Sequence, residues 1–149
     1  MSEEMLKVTV DKFTFLVPTD RLFSDAGVWA KLEGNRVRLG LSDYLQQSSG
    51  DVAFAKVKAV GTRVGRDDDF ADIETVKVDV SVPSPLPGTI MEINPALAEA
   101  SEIINQDPYG KGWLAIIEPA DWEADRVQLL GPSAYLALVK GQAEAEMKK

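Results

Sequence analysis

The sequence predicts a mainly β fold, a sandwich or barrel with short helices at its ends. Two observations carry that expectation. Short apolar runs alternate with a period of two, and glycine or proline punctuates nearly every one of them. Helical spacing is confined to brief segments and to the C-terminal stretch.

In chain order, residues 6–17 read as strand, broken by Pro18, Thr19 and Asp20. Residues 28–32 and 37–41 form a hairpin around Glu33, Gly34 and Asn35. Ser42 is a good N-cap for a short helix through Tyr44 to Gln47, ended by Ser48, Ser49 and Gly50. Residues 52–60 alternate again, and Gly61 and Gly65 mark turns. Asn94 and Pro95 open a helix over 96–104, with proline in the first helical position. Residues 105–110 are a turn cluster, 113–117 a buried strand, and 119–125 the start of another short helix. Residues 132–147 form a C-terminal helix with Ala134, Tyr135 and Leu138 on one face, turning polar and fraying at its end. Residues 1–149 read as one domain, long enough to bury a core without staples.

Composition narrows the function. No apolar run reaches the roughly 18 residues of a membrane span, and the acidic N-terminus is unlike a signal peptide, so a cytoplasmic protein is expected. A net charge of -8 argues against nucleic acid as a partner. With no Cys and no His, thiol nucleophiles, disulfides, imidazole bases and imidazole metal ligands are all excluded. What remains is a thin kit for an enzyme, and no catalytic or metal residue is assigned. The acidic triplet Asp67, Asp68, Asp69 lacks the ligand spacing of a calcium loop and reads as a solvated turn.

The most informative segment is residues 70–79. Phe70, Ile73 and Val76 precede Lys77 with rough alternation, and Val78, Val80 and Val82 alternate cleanly after it. A turn over Thr75 to Val78 would leave Lys77 at the tip of a hairpin. This pattern resembles the attachment hairpin of lipoyl and biotinyl carrier domains. Along nearly its whole length the chain is similar to the glycine cleavage system H protein family: Leu39-Gly40-Leu41-Ser42-Asp43-Tyr44, then Glu74-Thr75-Val76-Lys77, then Asp107-Pro108-Tyr109-Gly110-Lys111-Gly112-Trp113, then Leu129-Leu130 and Tyr135. The resemblance implies a barrel-sandwich hybrid of hammerhead type, with a carrier core over about 35–118 and a helical segment over about 119–147. It implies lipoate joined by an amide to Lys77, loaded by a lipoate ligase or lipoyltransferase. Valines beside the lysine, rather than methionines, favour lipoate over biotin. The chain would then be a non-catalytic swinging-arm carrier.

Around the attachment point, Glu74, Thr75, Val76, Val78 and Asp79 are candidates for recognition; Glu74 and Asp79 read equally well as solvated charges, and Thr75 as turn chemistry. Gly88 is expected to supply a backbone conformation that other residues avoid, and Trp113 to be structural. Phe13, Phe15, Phe23 and Trp29 read as core, part of them lining a cleft for the arm.

The chain departs from the family where His-Glu-Trp is usual and Gly27-Val28-Trp29 stands, in Val78-Asp79, and in the stiff run Pro83-Ser84-Pro85-Leu86-Pro87. These departures tilt the reading slightly toward a lipoate-binding branch that serves heterodisulfide-reductase-like complexes in sulfur oxidation. The alternative is glycine cleavage itself, with glycine decarboxylase, aminomethyltransferase and dihydrolipoamide dehydrogenase as partners. A binding module that has lost the arm is a third possibility.

Overall fold

Three antiparallel sheets make up the computed structural model, which describes residues 4–148. β1 (Met5–Val10) and β2 (Phe13–Pro18) form a hairpin, with Val10 opposite Phe13. The stretch expected as one strand is therefore two. Asp11 turns the chain with φ 58°, a left-handed conformation that a short polar side chain tolerates.

The six-stranded sheet holds β3 (Leu22–Phe23), β4 (Val28–Glu33), β5 (Arg36–Leu41), β7 (Arg63–Val64), β10 (Gly88–Ile93) and β11 (Ala115–Pro119). Their spatial order is β3-β4-β5-β11-β10-β7. The smaller sheet runs β6 (Val52–Val57), β8 (Asp69–Thr75), β9 (Asp79–Pro83). Val57, Phe70, Ile73 and Val82 of the smaller sheet join Leu39, Leu41, Ile90 and Ile117 of the larger in one buried cluster. Each such side chain contributes about 1.5–3 kcal/mol by leaving water. The mainly β expectation holds, and the core sits between the two larger sheets.

A second, aromatic cluster joins β1 and β2 to α1 (Asp43–Ser49) and to the C-terminal helix, with Phe15, Val17, Tyr44, Tyr135 and Val139 inside it. The expected helix over 96–104 is instead two short turns, α2 (Ala96–Glu99) and α3 (Ile103–Gln106). The chain breaks at Ala100, and the next residue, Ser101, donates its hydroxyl to the Ala53 carbonyl at 3.2 Å. That tertiary contact overrides local helix propensity. α4 (Trp122–Asp125) follows, and α5 (Pro132–Met147) has the expected bounds. Its buried stripe is Tyr135, Val139 and Ala143, spaced by four; Ala134 is exposed and Leu138 half-buried. The helix runs to Met147, and Glu146 in its last turn accepts a hydrogen bond from the Tyr44 hydroxyl at 3.1 Å.

Gly88 corrects a further expectation. Its φ is not left-handed; a Cβ there would lie 2.6 Å from the Glu118 carbonyl oxygen, so glycine supplies space between β10 and β11 rather than an unusual conformation. The last expected strand begins two residues late, at Ala115, leaving Trp113 half-buried beneath the Arg38 guanidinium at 4.5 Å.

Candidate functional site

Glu74 lies opposite Asp79 across β8 and β9, so residues 75–78 form the hairpin tip. The Thr75 N–H donates to the Val78 carbonyl at 2.9 Å and closes a four-residue turn. Thr75 Oγ1 accepts from the Lys77 N–H at 3.2 Å and the Val78 N–H at 2.9 Å. Its own proton has two carbonyls in reach, Ser49 at 2.8 Å and Val78 at 2.7 Å. A second tie runs from the Val76 N–H to the Asp51 carbonyl at 3.0 Å. The tip therefore rests on the end of α1 instead of standing free.

Gly50 ends α1 with φ 96°, and a Cβ there would lie 3.3 Å from Lys77 Cβ. A side chain at 50 would be strained in that backbone and would press on the lysine stem. Lys77 Nζ donates to the Ser48 carbonyl at 3.2 Å. The last carbonyls of a helix lack intrahelical partners and carry partial negative charge, so an N–H donor is welcome there. Among the described residues Nζ has no carboxylate within ion-pair reach. Acylating the amine would strand no counterion, and the amide would retain one N–H for Ser48. The site fits an amide-linked group.

The alternation of the sequence suggested that Val76 belonged with Phe70 and Ile73. In the fold Val76 is 77% exposed and Val78 is 45% exposed, because both fall in the turn. Phe70 and Ala71 are both buried where a register shift between Asp69 and Ala71 bends β8. Glu74 and Asp79 are exposed and directly opposed. Like charges facing across a ladder are destabilising, so the fold gains nothing from the pair.

Beside Lys77 lies a slot of about 200 Å³ lined by Phe13, Phe15, Tyr44, Gln47, Ser48 and Glu146. Of the four N-terminal aromatics, two line this slot, while Phe23 and Trp29 are wholly buried. Phe23 stacks on Tyr135 at 4.4 Å between ring centroids, and Trp29 Nε1 donates to the Pro108 carbonyl at 3.0 Å. Burial, with the Glu146 carboxylate adding to it, pushes the Tyr44 hydroxyl up to about 12. Gly27, at the place of the missing histidine, lines an adjoining hollow of about 400 Å³ that shares Tyr44, Ser48 and Glu146.

The remaining motifs are structural. The Tyr109 hydroxyl donates to the Leu16 carbonyl at 2.6 Å and accepts from the Asp43 N–H at 2.9 Å, tying β2 to the start of α1. Arg21, buried, stacks 4.6 Å over the Trp29 ring and donates to the Tyr109 carbonyl. In the acidic triplet, Asp68 accepts from the Gly65 N–H at 2.7 Å, and among the described residues no cluster of acids could hold a metal. Sequence reasoning missed Ser48 and Glu146. The sequence marks Ser48 only as part of the end of a short helix, with no sign of its link to Lys77, while the i+4 run from Tyr135 through Ala143 could have placed Glu146 near the end of a packed helix.

Two packed sheets holding out one lysine on a hairpin tip define the class, a carrier domain of the barrel-sandwich type. The family described as Glycine cleavage H-protein matches residues 21–142. The glycine cleavage system H protein of Carboxydothermus hydrogenoformans is 34% identical over 129 residues, covering 87% of this chain and 98% of its own. The one from Thermus thermophilus is 35% identical over 127 residues (85% and 98%), and the one from Xanthomonas campestris 38% over 128 (85% and 97%). The crystal structure of the Mycobacterium marinum H protein superposes with a TM-score of 0.74 at 28% identity, covering 81% of this chain and 97% of that one. The chain belongs to the glycine cleavage H-protein family. As a member it is a non-catalytic carrier. No described helix is long and apolar enough to cross a membrane.

Proposed function

We propose that Lys77 is the attachment point of lipoate and that the chain serves as the shuttle of a glycine cleavage system. The observation that carries this reading is the presentation of Lys77: an uncharged partner for Nζ, a turn closed by Thr75, and a tip seated on α1. When bound, lipoate supplies a disulfide that opens to two thiols and so accepts a transferred group together with electrons.

The residues of the chain do the rest. Thr75 fixes the turn so that a loading enzyme meets the amine in one geometry, and the long lysine stem extends its reach. Glu74 and Asp79, unfavourably opposed in the isolated chain, present a paired negative charge to a basic loading enzyme or partner. Val76 and Val78 offer apolar contact on either side of the amine. Tethering raises the effective concentration of whatever the arm bears at each partner's active site. Those partners would be glycine decarboxylase, aminomethyltransferase and dihydrolipoamide dehydrogenase, with a lipoate ligase or lipoyltransferase for loading.

The departures that tilted the sequence reading toward sulfur oxidation find no support in the relatives, which carry the glycine cleavage name over nearly their full length. The reading accordingly moves to its alternative. The test is intact mass with peptide mapping after incubation with lipoate, ATP and a lipoate ligase. One lipoyl increment on the Lys77 peptide, absent in Lys77→Arg, is expected; an unmodified Lys77 overturns the reading. Glycine-dependent carbon dioxide exchange with glycine decarboxylase then tests the pathway.

A further inference from the structure

The hairpin tip that carries Lys77 rests on the stretch of chain from the end of α1 to the start of β6, and three carbonyls of that stretch hold it. Ser48 accepts from Lys77 Nζ at 3.2 Å, Ser49 from the Thr75 hydroxyl at 2.8 Å, and Asp51 from the Val76 N–H at 3.0 Å. The seat is therefore largely a loop, entered through the left-handed Gly50, and its backbone groups need partners from outside any ladder. β6 supports it weakly, because the register shift between Val52 and Phe54 leaves Ala53 without a partner on β8.

Support comes from α3. Asn105 Oδ1 accepts from the Val52 N–H at 2.8 Å, while Nδ2 donates to the Gly50 carbonyl at 3.1 Å and to Gln46 Oε1 at 3.0 Å. One side chain thus grips the backbone on both sides of Asp51, whose carbonyl holds Val76. The orientation of the amide is fixed: a backbone N–H demands its oxygen, so its nitrogen faces the carbonyl. Gln46 is fixed in turn, since its own Nε2 donates to Asp43 Oδ1 at 2.8 Å. Ile104, next to Asn105, is wholly buried in the main core and anchors α3 beneath the grip.

We infer that Asn105 is a positioning residue for the loading of Lys77: it sets the seat of the tip, and through the seat the place and direction of the amine. This rests on Lys77 being the lipoyl site. Asn105 acts through Asp51, which holds the tip, and through Gly50, which lies beside the lysine stem. A tip released from its seat has to be ordered when a loading enzyme closes over it. That cost falls on binding and is the same in the complex and in the transition state, so it raises KM and leaves kcat alone.

Asn105→Asp keeps the size of the side chain and the acceptor for Val52. It also turns the donor into an oxygen that faces two others, the Gly50 carbonyl and Gln46 Oε1. In this variant the Val76 amide is expected to exchange about tenfold faster, the scale of one unmet hydrogen bond. The Val78 amide, held inside the turn by Thr75 Oγ1, should exchange as in wild type, whereas a general loss of stability would not single out Val76. Loading by a lipoate ligase, with the unmodified protein as the varied substrate, should show KM raised about fivefold at unchanged kcat. Ser101→Ala removes the neighbouring bond to Ala53 and should leave both readouts at wild-type values.

A folded Asn105→Asp protein that matches wild type in Val76 exchange or in KM overturns the inference. So does Val78 exchange accelerated as much as Val76, or a Ser101→Ala protein with the same rise in KM. A wild-type Val76 amide that exchanges freely while the Val52 amide is protected overturns it as well, and that comparison needs no variant. Wild-type protein left unmodified at Lys77 by the ligase overturns the underlying reading instead, and peptide mapping tells the two failures apart.

Discussion

Replacing Thr75 by valine removes one oxygen and keeps the branched shape that a strand end favours. That oxygen accepts from Lys77 and Val78 and donates to a carbonyl, with Ser49 in reach. The lost donation to a half-buried carbonyl costs about 1 kcal/mol, and the two exposed N–H groups, which can turn to water, together add about half as much. Thr75→Val should therefore lose about 1.5 kcal/mol, a fall of about 3–6 °C in Tm for a chain of this size. Thr75→Ser keeps the oxygen and should stay within about 0.5 kcal/mol of wild type. Urea denaturation gives the stability, and amide exchange gives the location. The Val78 amide, bonded to Thr75 Oγ1, should exchange about tenfold faster in the valine variant, which corresponds to about 1.4 kcal/mol of local protection. If valine and serine leave both stability and Val78 exchange alike, the hydroxyl does not hold the tip, and the account of how Lys77 is presented fails.

Gly88→Ala drives a methyl to 2.6 Å from the Glu118 carbonyl oxygen and should cost about 1–3 kcal/mol, read as a lower urea midpoint at unchanged slope. All three tyrosines hold their protons tightly, chiefly through burial, which takes Tyr44 and Tyr135 to about 12 and Tyr109 higher still. Each is neutral in the fold where the unfolded chain would ionise, so their stabilisation is complete below the ordinary value of 10.0 and declines as pH rises from there through about 12. Native protein should then show no phenolate absorbance at pH 10; a tyrosine ionising there with the fold intact would refute the assigned burial.

Much of the architecture was written in local pattern. The β4–β5 hairpin follows from alternation around Gly34, and α1 from Ser42, whose side chain accepts from the Leu45 N–H as an N-cap should. Lys77 at a tip was equally legible, since alternation on both sides of it demands a turn. What escaped reading depends on contacts distant in sequence. Asp11 and Lys12 turn a chain with no glycine or asparagine to announce it, and the hairpin persists because α5 covers one face. The break at Ala100 answers to Ala53, and the slot beside Lys77 needs β2, α1 and α5 together. Gly88 was read for its flexibility when its smallness was the point, a distinction that only the neighbouring strand reveals.

The Tyr44–Glu146 bond joins positions 102 residues apart, and the aromatic cluster around it draws on both the first strands and the last helix. On a ribosome the chain emerges from its N-terminus, so β1 and β2 appear long before the surface that covers them. Until α5 is released, the inner face of the hairpin lacks Tyr135, Val139 and Ala143, and the contacts of β2 with α1, Phe15 against Tyr44 among them, must hold it in place. Completion of the Lys77 neighbourhood thus waits for α5. An enzyme that requires the finished slot would act only on chains that already include α5, so products cut short before it would escape modification.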